Sequence, residues 1–259
     1  MIYKLGKLPP VDDGKIFSLK KILKVPSELP PIPDKYTFTS RNPLDFSDPL
    51  GNLEWGCCVR TGIAYQTVAF EDDEQNIALH PTEAENLKKY WNEQGWRCFM
   101  KKPVPGGKYD QGLVVLYALK DARKNGWKIG GKAYKIHAFA NTTPYNHQLV
   151  KAGCFLLNGM LFGLDLPLTA QDQIGKVWEY LPDTAGNEPR SWGGHLVWNK
   201  DYPDGDPVVQ TWGAPQEMTW EFLEHYSSPS EVFAVVDNKD SKASVLDEKR
   251  LDSYLQAIS

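Results

Sequence analysis

The spacing of hydrophobic residues differs between the two halves of the chain. Between residues 51 and 126, apolar side chains recur every three or four positions, a spacing that predicts helices. We place one helix beginning at or just before Cys58, a second over residues 81–91 and a third over residues 113–125. Thr82, or the residue before it, is expected to cap the second helix, because such a side chain can accept a hydrogen bond from a free backbone amide.

Beyond residue 131 the pattern changes to a period of two, which predicts strands. The short apolar runs are AYKIHAFANTTP, MLFGLDLP, GGHLVWN, PVVQTWG and SEVFAVVD, and a helix around residues 145–158 interrupts them. Helices therefore come first and strands second. This order predicts an α+β fold of two halves, with a helical half over about residues 51–130 and a β half over about residues 131–238.

The two ends of the chain have patterns of their own. Prolines at positions 9, 10, 26, 30, 31, 33, 43 and 49 mark the first 50 residues. Proline fixes φ and lacks a backbone donor, so residues 1–50 are predicted to form an extended arm that lies on the body of the protein. Such an arm either straps the surface, docks a partner or inhibits a site. The pattern of SVLDEKRLDSYLQAI predicts a closing helix within residues 239–259.

The composition is that of a globular protein and excludes several classes. Of 259 residues, 41% are hydrophobic, the net charge is −4 and the mean hydropathy is −0.46. Without an excess of positive charge, binding to nucleic acid or to a membrane surface is not expected. No apolar run approaches about 18 residues and no apolar signal segment follows the first charges, so we expect no transmembrane segment, no signal peptide and a cytoplasmic location.

Four cysteines are too few for a disulfide scaffold in a chain of this length. Cys57 and Cys58 are adjacent and lack the separation that lets two thiolates bind one tetrahedral ion, and neither CxxC nor HxxxH occurs. We therefore expect no metal and no cofactor. The GxSxG motif of serine hydrolases is also absent.

One cysteine and one histidine form a candidate catalytic pair. Cys58 is predicted to lie at a helix N-terminus, where unpaired amides favour the nucleophilic thiolate. Such a thiolate needs an imidazole to accept and return a proton. Of the five histidines, His195 is the best candidate, because the two glycines before it in SWGGHLVW leave space beside the ring for a substrate backbone.

The order of these residues resembles that of the papain-like cysteine peptidases. Cys58 precedes His195 by 137 positions, within the roughly 130–150 residues typical of that family. The family places an asparagine before Ser-Trp-Gly, and the matching stretch here is QTWG, which begins with Gln210. The resemblance implies that Gln210, although it is not an asparagine, orients His195 through its side-chain amide, while Trp212 shields that hydrogen bond from water.

The resemblance also implies an oxyanion hole. The family has a glutamine six residues before the nucleophile, and Asn52 occupies that position here. Asparagine can donate the same hydrogen bond but is one methylene shorter. Asn52 and the backbone N–H of Cys58 are therefore expected to hold the oxyanion. Cys57 is expected to be a neighbour only, although an offset of one residue would exchange the two cysteines.

A further set of residues is expected to bind substrate by the same resemblance. The family has a glycine two residues before the nucleophile, here Gly56, and a glycine-pair loop that leads into a helix. The loop corresponds to DQGL, in which Gln111 replaces one glycine and Gly112 is the other. Gly194, beside the histidine, and Trp212 complete the expected substrate-binding set.

The implied fold is papain-like, with a helical left half, an antiparallel, β-barrel-like right half and a cleft between them. The sequence looks closest to poorly characterised papain-like proteins of phages and bacteria. The first expected function is a thiol hydrolase that cleaves a peptide or isopeptide amide in a peptide or protein substrate, and acyl transfer to an amine would use the same residues. The alternative is a catalytically silent structural or interaction protein, for instance in a phage virion, with other virion proteins as partners. The expected location is then the virion instead of the cytoplasm of the host cell.

Overall fold

The computed structural model describes residues 3–11, 14–238 and 242–257. Its α-helices are α1 (Leu19–Ile22), α2 (Cys58–Gln75), α3 (Glu83–Glu93), α4 (Val115–Lys124), α5 (His147–Leu156), α6 (Trp220–Tyr226) and α7 (Glu248–Ala257). Its strands are β1 (Trp127–Ile129), β2 (Lys132–Tyr134), β3 (Ala138–Thr142), β4 (Met160–Leu166), β5 (Gly193–Asp201), β6 (Val208–Thr211), β7 (Ala214–Glu217) and β8 (Ser227–Val236). Short 3-10 helices cover Pro26–Glu28 and Leu168–Gln171.

Helix α2 runs through the interior of the protein. Every residue from Cys58 to Asp72 is buried, so this helix is enclosed on all sides rather than on one face. Cys57, which precedes the helix, makes no side-chain cap hydrogen bond, and Asn76 ends the helix in the left-handed conformation with φ of 54°. The partial positive charge of the first-turn amides is therefore concentrated around Cys58.

The rest of the helical half consists of α3, α4 and the β1–β2 hairpin. Thr82 caps α3 and forms a reciprocal capping box with Glu85, which confirms the expected cap. Tyr90 and Trp91 of α3 pack with Trp55 in a separate aromatic cluster. The observed helices α2 to α5 begin within two residues of their predicted starts.

The β half is built on a six-stranded sheet with the strand order β3-β8-β4-β5-β6-β7, and every neighbouring pair is antiparallel. One face of the sheet, including Leu161 and Trp198, shares a core with α2. The other face, including Phe162 and Val197, packs with Phe222 of α6 and with α5. Because both faces of the sheet are covered, β4 and β5 are buried almost throughout. The expected α+β arrangement, with the helices α2 to α4 before the strands of the main sheet, is confirmed.

The N-terminal residues contact both halves. Lys7 forms a parallel bridge with Leu113 before α4, and Tyr36 forms an antiparallel bridge with Tyr202 after β5. Helix α1 lies beside α7 near the C-terminus. Residues 239–241, 258 and 259 of the predicted closing segment lie outside the described residues. Within the described ranges, no helix is both long enough and apolar enough to cross a membrane.

Candidate active site

Cys58 begins α2 at the junction of the two halves, and only 1% of it is exposed. Burial raises the pKa of its thiol to about 11, while backbone hydrogen bonds from Leu196 and Gly6 and the positive charge of Lys7 act in the opposite direction. Leu196 directly follows His195 in β5, so the strand that carries the candidate base lies against the candidate nucleophile.

Cys57 has a different environment from its neighbour. Its sulfur lies 3.7 Å from the Leu50 carbonyl oxygen and 3.7 Å from the Thr61 hydroxyl, in the aromatic cluster with Trp55 and Tyr90. Burial raises the pKa of the Cys57 thiol far above its ordinary value. Cys57 is therefore enclosed in the core of the helical half, and Cys58 is the better candidate for a reactive thiol.

His195 lies in β5 with its ring stacked on Trp212, at a centroid distance of 4.2 Å and an interplanar angle of 13°. Its Nε2 atom shares a hydrogen bond of 2.5 Å with the Thr211 hydroxyl. Among the described residues, Nδ1 has no hydrogen-bond partner. When Nε2 donates to Thr211, Nδ1 is left as the basic nitrogen. Burial, with a smaller contribution from the charge of Lys7, lowers the pKa of His195 to about 3.

Gln210 does not take the position expected from the sequence. It pairs with Trp198 across β5 and β6, three positions from His195, so the side chains of Gln210 and His195 point to opposite faces of the sheet. The Gln210 amide donates instead to the Phe46 carbonyl oxygen at 2.8 Å. The next residue, Thr211, is the one that meets the imidazole. Trp212 stacks on the imidazole ring, but the Gln210–His195 hydrogen bond that it was expected to shield is not formed.

Asn52 and Trp212 direct two side-chain N–H donors at one carbonyl oxygen. Asn52 Nδ2 donates to the Lys4 carbonyl oxygen at 3.3 Å, and Trp212 Nε1 donates to the same oxygen at 3.1 Å. Asn52 also donates to the Trp55 carbonyl oxygen at 3.0 Å, which fixes the orientation of its amide. The Asn52 amide therefore binds a peptide carbonyl oxygen of the ground state, and its role at an oxyanion stays a prediction.

That carbonyl belongs to an extended stretch of the chain's own N-terminus, residues 4–8, which we call the cleft segment. Gly6 accepts a hydrogen bond from Leu113 N–H at 2.8 Å, and Leu8 N–H donates to the Leu113 carbonyl oxygen at 2.9 Å. On the opposite side, Lys7 N–H donates to the Gly194 carbonyl oxygen at 2.9 Å. The helical half and the β half thus bind the same extended backbone from its two edges.

All three glycines of the expected substrate-binding set lie close to the backbone of the cleft segment. A Cβ atom at Gly112 would overlap the Gly6 carbonyl oxygen, and one at Gly194 would overlap the Lys7 carbonyl oxygen. A Cβ at Gly56 would lie 3.0 Å from the Leu5 carbonyl oxygen. These glycines therefore allow a polypeptide backbone to approach the walls of the cleft.

Gln111, the remaining residue of the expected substrate-binding set, lies elsewhere. It is exposed, and its amide donates to the Gly107 carbonyl oxygen at 2.8 Å within its own loop. Its backbone N–H donates to Gln94. In this structure the side chain of Gln111 contacts its own loop rather than the cleft segment.

The sequence analysis did not find Thr211 or the charged residues that surround Lys7. The Lys7 side chain is fully buried, with Nζ 2.5 Å from Glu231 and 3.1 Å from Asp165. Each of these carboxylates interrupts an apolar run, in SEVFAVVD and MLFGLDLP. A carboxylate within a buried strand is rare unless it is paired, so both runs carried a signal. Thr211 had only its place beside Trp212 as a signal.

Among the described residues, no hydrogen bond joins the Cys58 sulfur to the His195 ring, whose Nδ1 atom has no partner. The candidate groups near the cleft segment are a thiol, an imidazole and two side-chain N–H donors. These are the groups needed for nucleophilic attack on an amide. Across the described part of the chain, no group of three or more His, Cys, Asp or Glu residues is arranged to hold a metal ion.

Comparisons with known proteins agree with this architecture. No protein-family model and no curated protein matches the sequence. Among solved structures, xylellain, a cysteine protease from Xylella fastidiosa, matches with a TM-score of 0.66 at 16% identity, over 91% of this chain and 97% of that one.

Two other cysteine-protease structures give weaker matches. The cysteine protease and lectin-like domains of Cwp84 from Clostridium difficile match with a TM-score of 0.52 at 10% identity, over 90% of this chain and 55% of that one. Procathepsin B S9 from Trypanosoma congolense matches with a TM-score of 0.51 at 12% identity, over 90% and 86%. The likeness to these structures, at low identity and over most of the chain, shows that this protein has the fold of the papain-like cysteine proteases.

Proposed function

We propose that this protein is a papain-like thiol hydrolase that cleaves an amide bond in a peptide or protein, and that its cleft segment holds it in a latent state. One observation carries the proposal: an extended polypeptide is hydrogen-bonded along the cleft on both edges and packs against Gly56, two residues before Cys58. A cleft that binds extended backbone beside a thiol and an imidazole has the arrangement required for peptide cleavage.

In the proposed reaction the cleft segment first leaves and substrate takes its place. Cys58 transfers its proton to His195 and its sulfur bonds to the carbonyl carbon, while Asn52 and the Cys58 N–H hold the oxyanion. The C–N bond breaks as His195 returns the proton to the leaving amine. Water, deprotonated by His195, then hydrolyses the thioester and releases the acid and the free thiol. A peptide or an isopeptide amide fits this scheme equally.

Latency follows from the protonation states in the covered site. Burial favours the uncharged thiol of Cys58 and the uncharged imidazole of His195, so the reactive thiolate–imidazolium pair is disfavoured while the cleft segment is bound. Removing the segment admits water and relieves that burial. An association with phage particles remains a prediction, because the matched structures named above do not indicate it.

The proposal is tested by alkylating the full-length protein in a Lys7→Glu background, where like charges at Glu231 and Asp165 disfavour the bound cleft segment. We expect Cys58 to react with iodoacetamide at neutral pH at least about tenfold faster with His195 present than in His195→Ala, because the imidazole generates the thiolate. Mass spectrometry against time gives the rate at each cysteine. Cys98, which is exposed, is the internal reference and should react equally in both variants.

Peptide cleavage is then measured by mass spectrometry on a mixed-sequence library, with Cys58→Ala as the inactive control and Cys57→Ala as the matched variant that keeps the thiol at position 58. New termini produced only when Cys58 is present would support the hydrolase. If Cys58 is alkylated slowly and at the same rate with and without His195, and no peptide is cleaved, the proposal is contradicted. That result would favour a catalytically silent protein with the papain-like fold.

A further inference from the structure

The Lys7 side chain is buried against carboxylates of the β half. None of it is exposed, and its ammonium group lies 2.5 Å from Glu231 and 3.1 Å from Asp165. The side chain of Glu231 is itself 3% exposed, on β8, which lies between β3 and β4 in the sheet. A lysine is almost never fully buried unless it is paired with an opposite charge, so this burial reflects a site that accepts a cation.

The charges of this site balance only when a cation is bound. Asp165 already forms an ion pair with Arg190 at 2.7 Å, which leaves Glu231 to be neutralised by Lys7. Without Lys7, the three remaining charged groups sum to minus one and Glu231 is a buried carboxylate with no cationic partner. Leaving such a charge unpaired is costly, so the empty site favours a new cation.

The backbone of the β half is shaped to leave room for these groups. A Cβ atom at Gly163 would lie 2.9 Å from a carboxylate oxygen of Glu231, so glycine at this position makes space for the acid. Arg190 Nη2 also donates to the Lys7 carbonyl oxygen at 3.2 Å, which fixes the main chain at the mouth of the site. The site therefore binds both the charge of a lysine and its backbone.

We propose that Glu231 and Asp165 form a specificity pocket that selects a lysine or arginine side chain of the substrate, and that Lys7 of the cleft segment fills it in the latent protein. This inference rests on the proposed function. We name these residues, with Arg190, the acidic pocket.

The position of the acidic pocket relates the selected residue to the bond attacked. The backbone of Gly6, the residue before Lys7, packs against Gly56, two residues before Cys58, because a Cβ atom on Gly6 would overlap the Gly56 carbonyl oxygen. The side chain that enters the acidic pocket therefore belongs to a residue within about one or two positions of the bond at the nucleophile, because consecutive Cα atoms are about 3.8 Å apart.

Binding is measured first, because it does not require turnover. The full-length Lys7→Glu/Cys58→Ala protein is titrated with a fluorescein-labelled peptide of residues 3–9, YKLGKLP, and with the same peptide carrying norleucine in place of the second lysine. We expect the lysine peptide to bind at least about tenfold more tightly, because only it neutralises Glu231. Adding Glu231→Gln should reduce this ratio to within about twofold, whereas the matched change Glu217→Gln on the edge strand β7 should leave the ratio unchanged.

Cleavage is measured second, with the Lys7→Glu protein and peptides that carry lysine, arginine, leucine or glutamate at each position in turn. The expected result is that kcat/KM for lysine or arginine at one position exceeds that for leucine by at least about tenfold, and that Glu231→Gln removes the preference. Equal binding of the lysine and norleucine peptides would contradict the proposal that the acidic pocket selects a basic side chain. If Cys58 still reacts with iodoacetamide in a His195-dependent manner, that result leaves the proposed hydrolase function standing. A preference for the lysine peptide in binding without any cleavage would instead support the acidic pocket and contradict the hydrolase function.

Discussion

The two walls of the cleft bind the same segment by different means. The helical wall offers main-chain groups and glycines, with Leu113 hydrogen-bonded to the cleft segment and Gly112 in close approach to it. The β wall adds an imidazole, a tryptophan and the acidic pocket, which holds the Lys7 side chain. The helical wall therefore contacts only the backbone of the segment, whereas the β wall also binds the charge of the Lys7 side chain. Under the proposed function, the β wall would supply the base and select a side chain by its charge.

The largest effect should come from disturbing the backbone contact at the helical wall. A Cβ atom on Gly6 would overlap the Gly56 carbonyl oxygen, so Gly6→Ala should expel the cleft segment. We expect iodoacetamide to alkylate Cys58 at least about tenfold faster than in the wild-type protein, since the thiol becomes accessible. Leu8→Ala, which trims a partly exposed side chain and keeps every backbone hydrogen bond of the segment, is the control. Unchanged labelling in Gly6→Ala would show that the segment does not guard Cys58.

At the β wall, Thr211→Val removes the hydroxyl that contacts His195 Nε2 and keeps the shape of the side chain. Losing the partner of a buried polar atom costs about 1–3 kcal/mol, so we expect a roughly fivefold to hundredfold slower His195-dependent alkylation of Cys58 in the Gly6→Ala background. The pH profile of that reaction should also shift, because the Thr211 bond sets which imidazole nitrogen is basic.

Gln210→Met is the matched variant for this test. The Gln210 amide contacts Phe46, so its loss should lower thermal stability and leave the pH profile in place. A shifted profile in Gln210→Met together with an unchanged one in Thr211→Val would reverse the assignment and restore the role expected of Gln210.

The last prediction concerns pH. In the covered cleft, mainly burial lowers the pKa of His195 to about 3 from an ordinary value of 6.5. Below pH 6.5, His195 is therefore protonated more readily when the cleft segment is released than when it is bound. The cleft segment should therefore be held fully above about pH 6.5 and become progressively easier to release as the pH falls from 6.5 toward 3. Each pH unit in that window changes the release equilibrium by at most about tenfold.

Hydrogen exchange of residues 3–9, followed by mass spectrometry between pH 7 and pH 5 and corrected for the intrinsic pH dependence of exchange, measures this release. The His195→Gln variant should lose most of the pH dependence, because it removes the group that titrates. The same dependence with and without His195 would assign the effect to the carboxylates of the acidic pocket instead.

The sequence predicted the local elements well because their signals lie within a few residues. The start of α2 at Cys58 followed from apolar spacing, and the cap of α3 followed from Thr82 three residues before Glu85. The order of helices before strands and the papain-like fold class also followed from the sequence pattern and the resemblance, and the structure and its neighbours agree.

The sequence alone determined where the candidate nucleophile and base lie along the chain and which fold would bring them near each other. Only the tertiary structure decided that Thr211 rather than Gln210 meets His195, because the strand register between β5 and β6 sets which side chains share a face. It also decided that Lys7 meets Glu231, 224 positions away. Apolar periodicity is a short-range property, whereas these contacts depend on how distant segments pack, and that information is not contained in any local stretch of sequence.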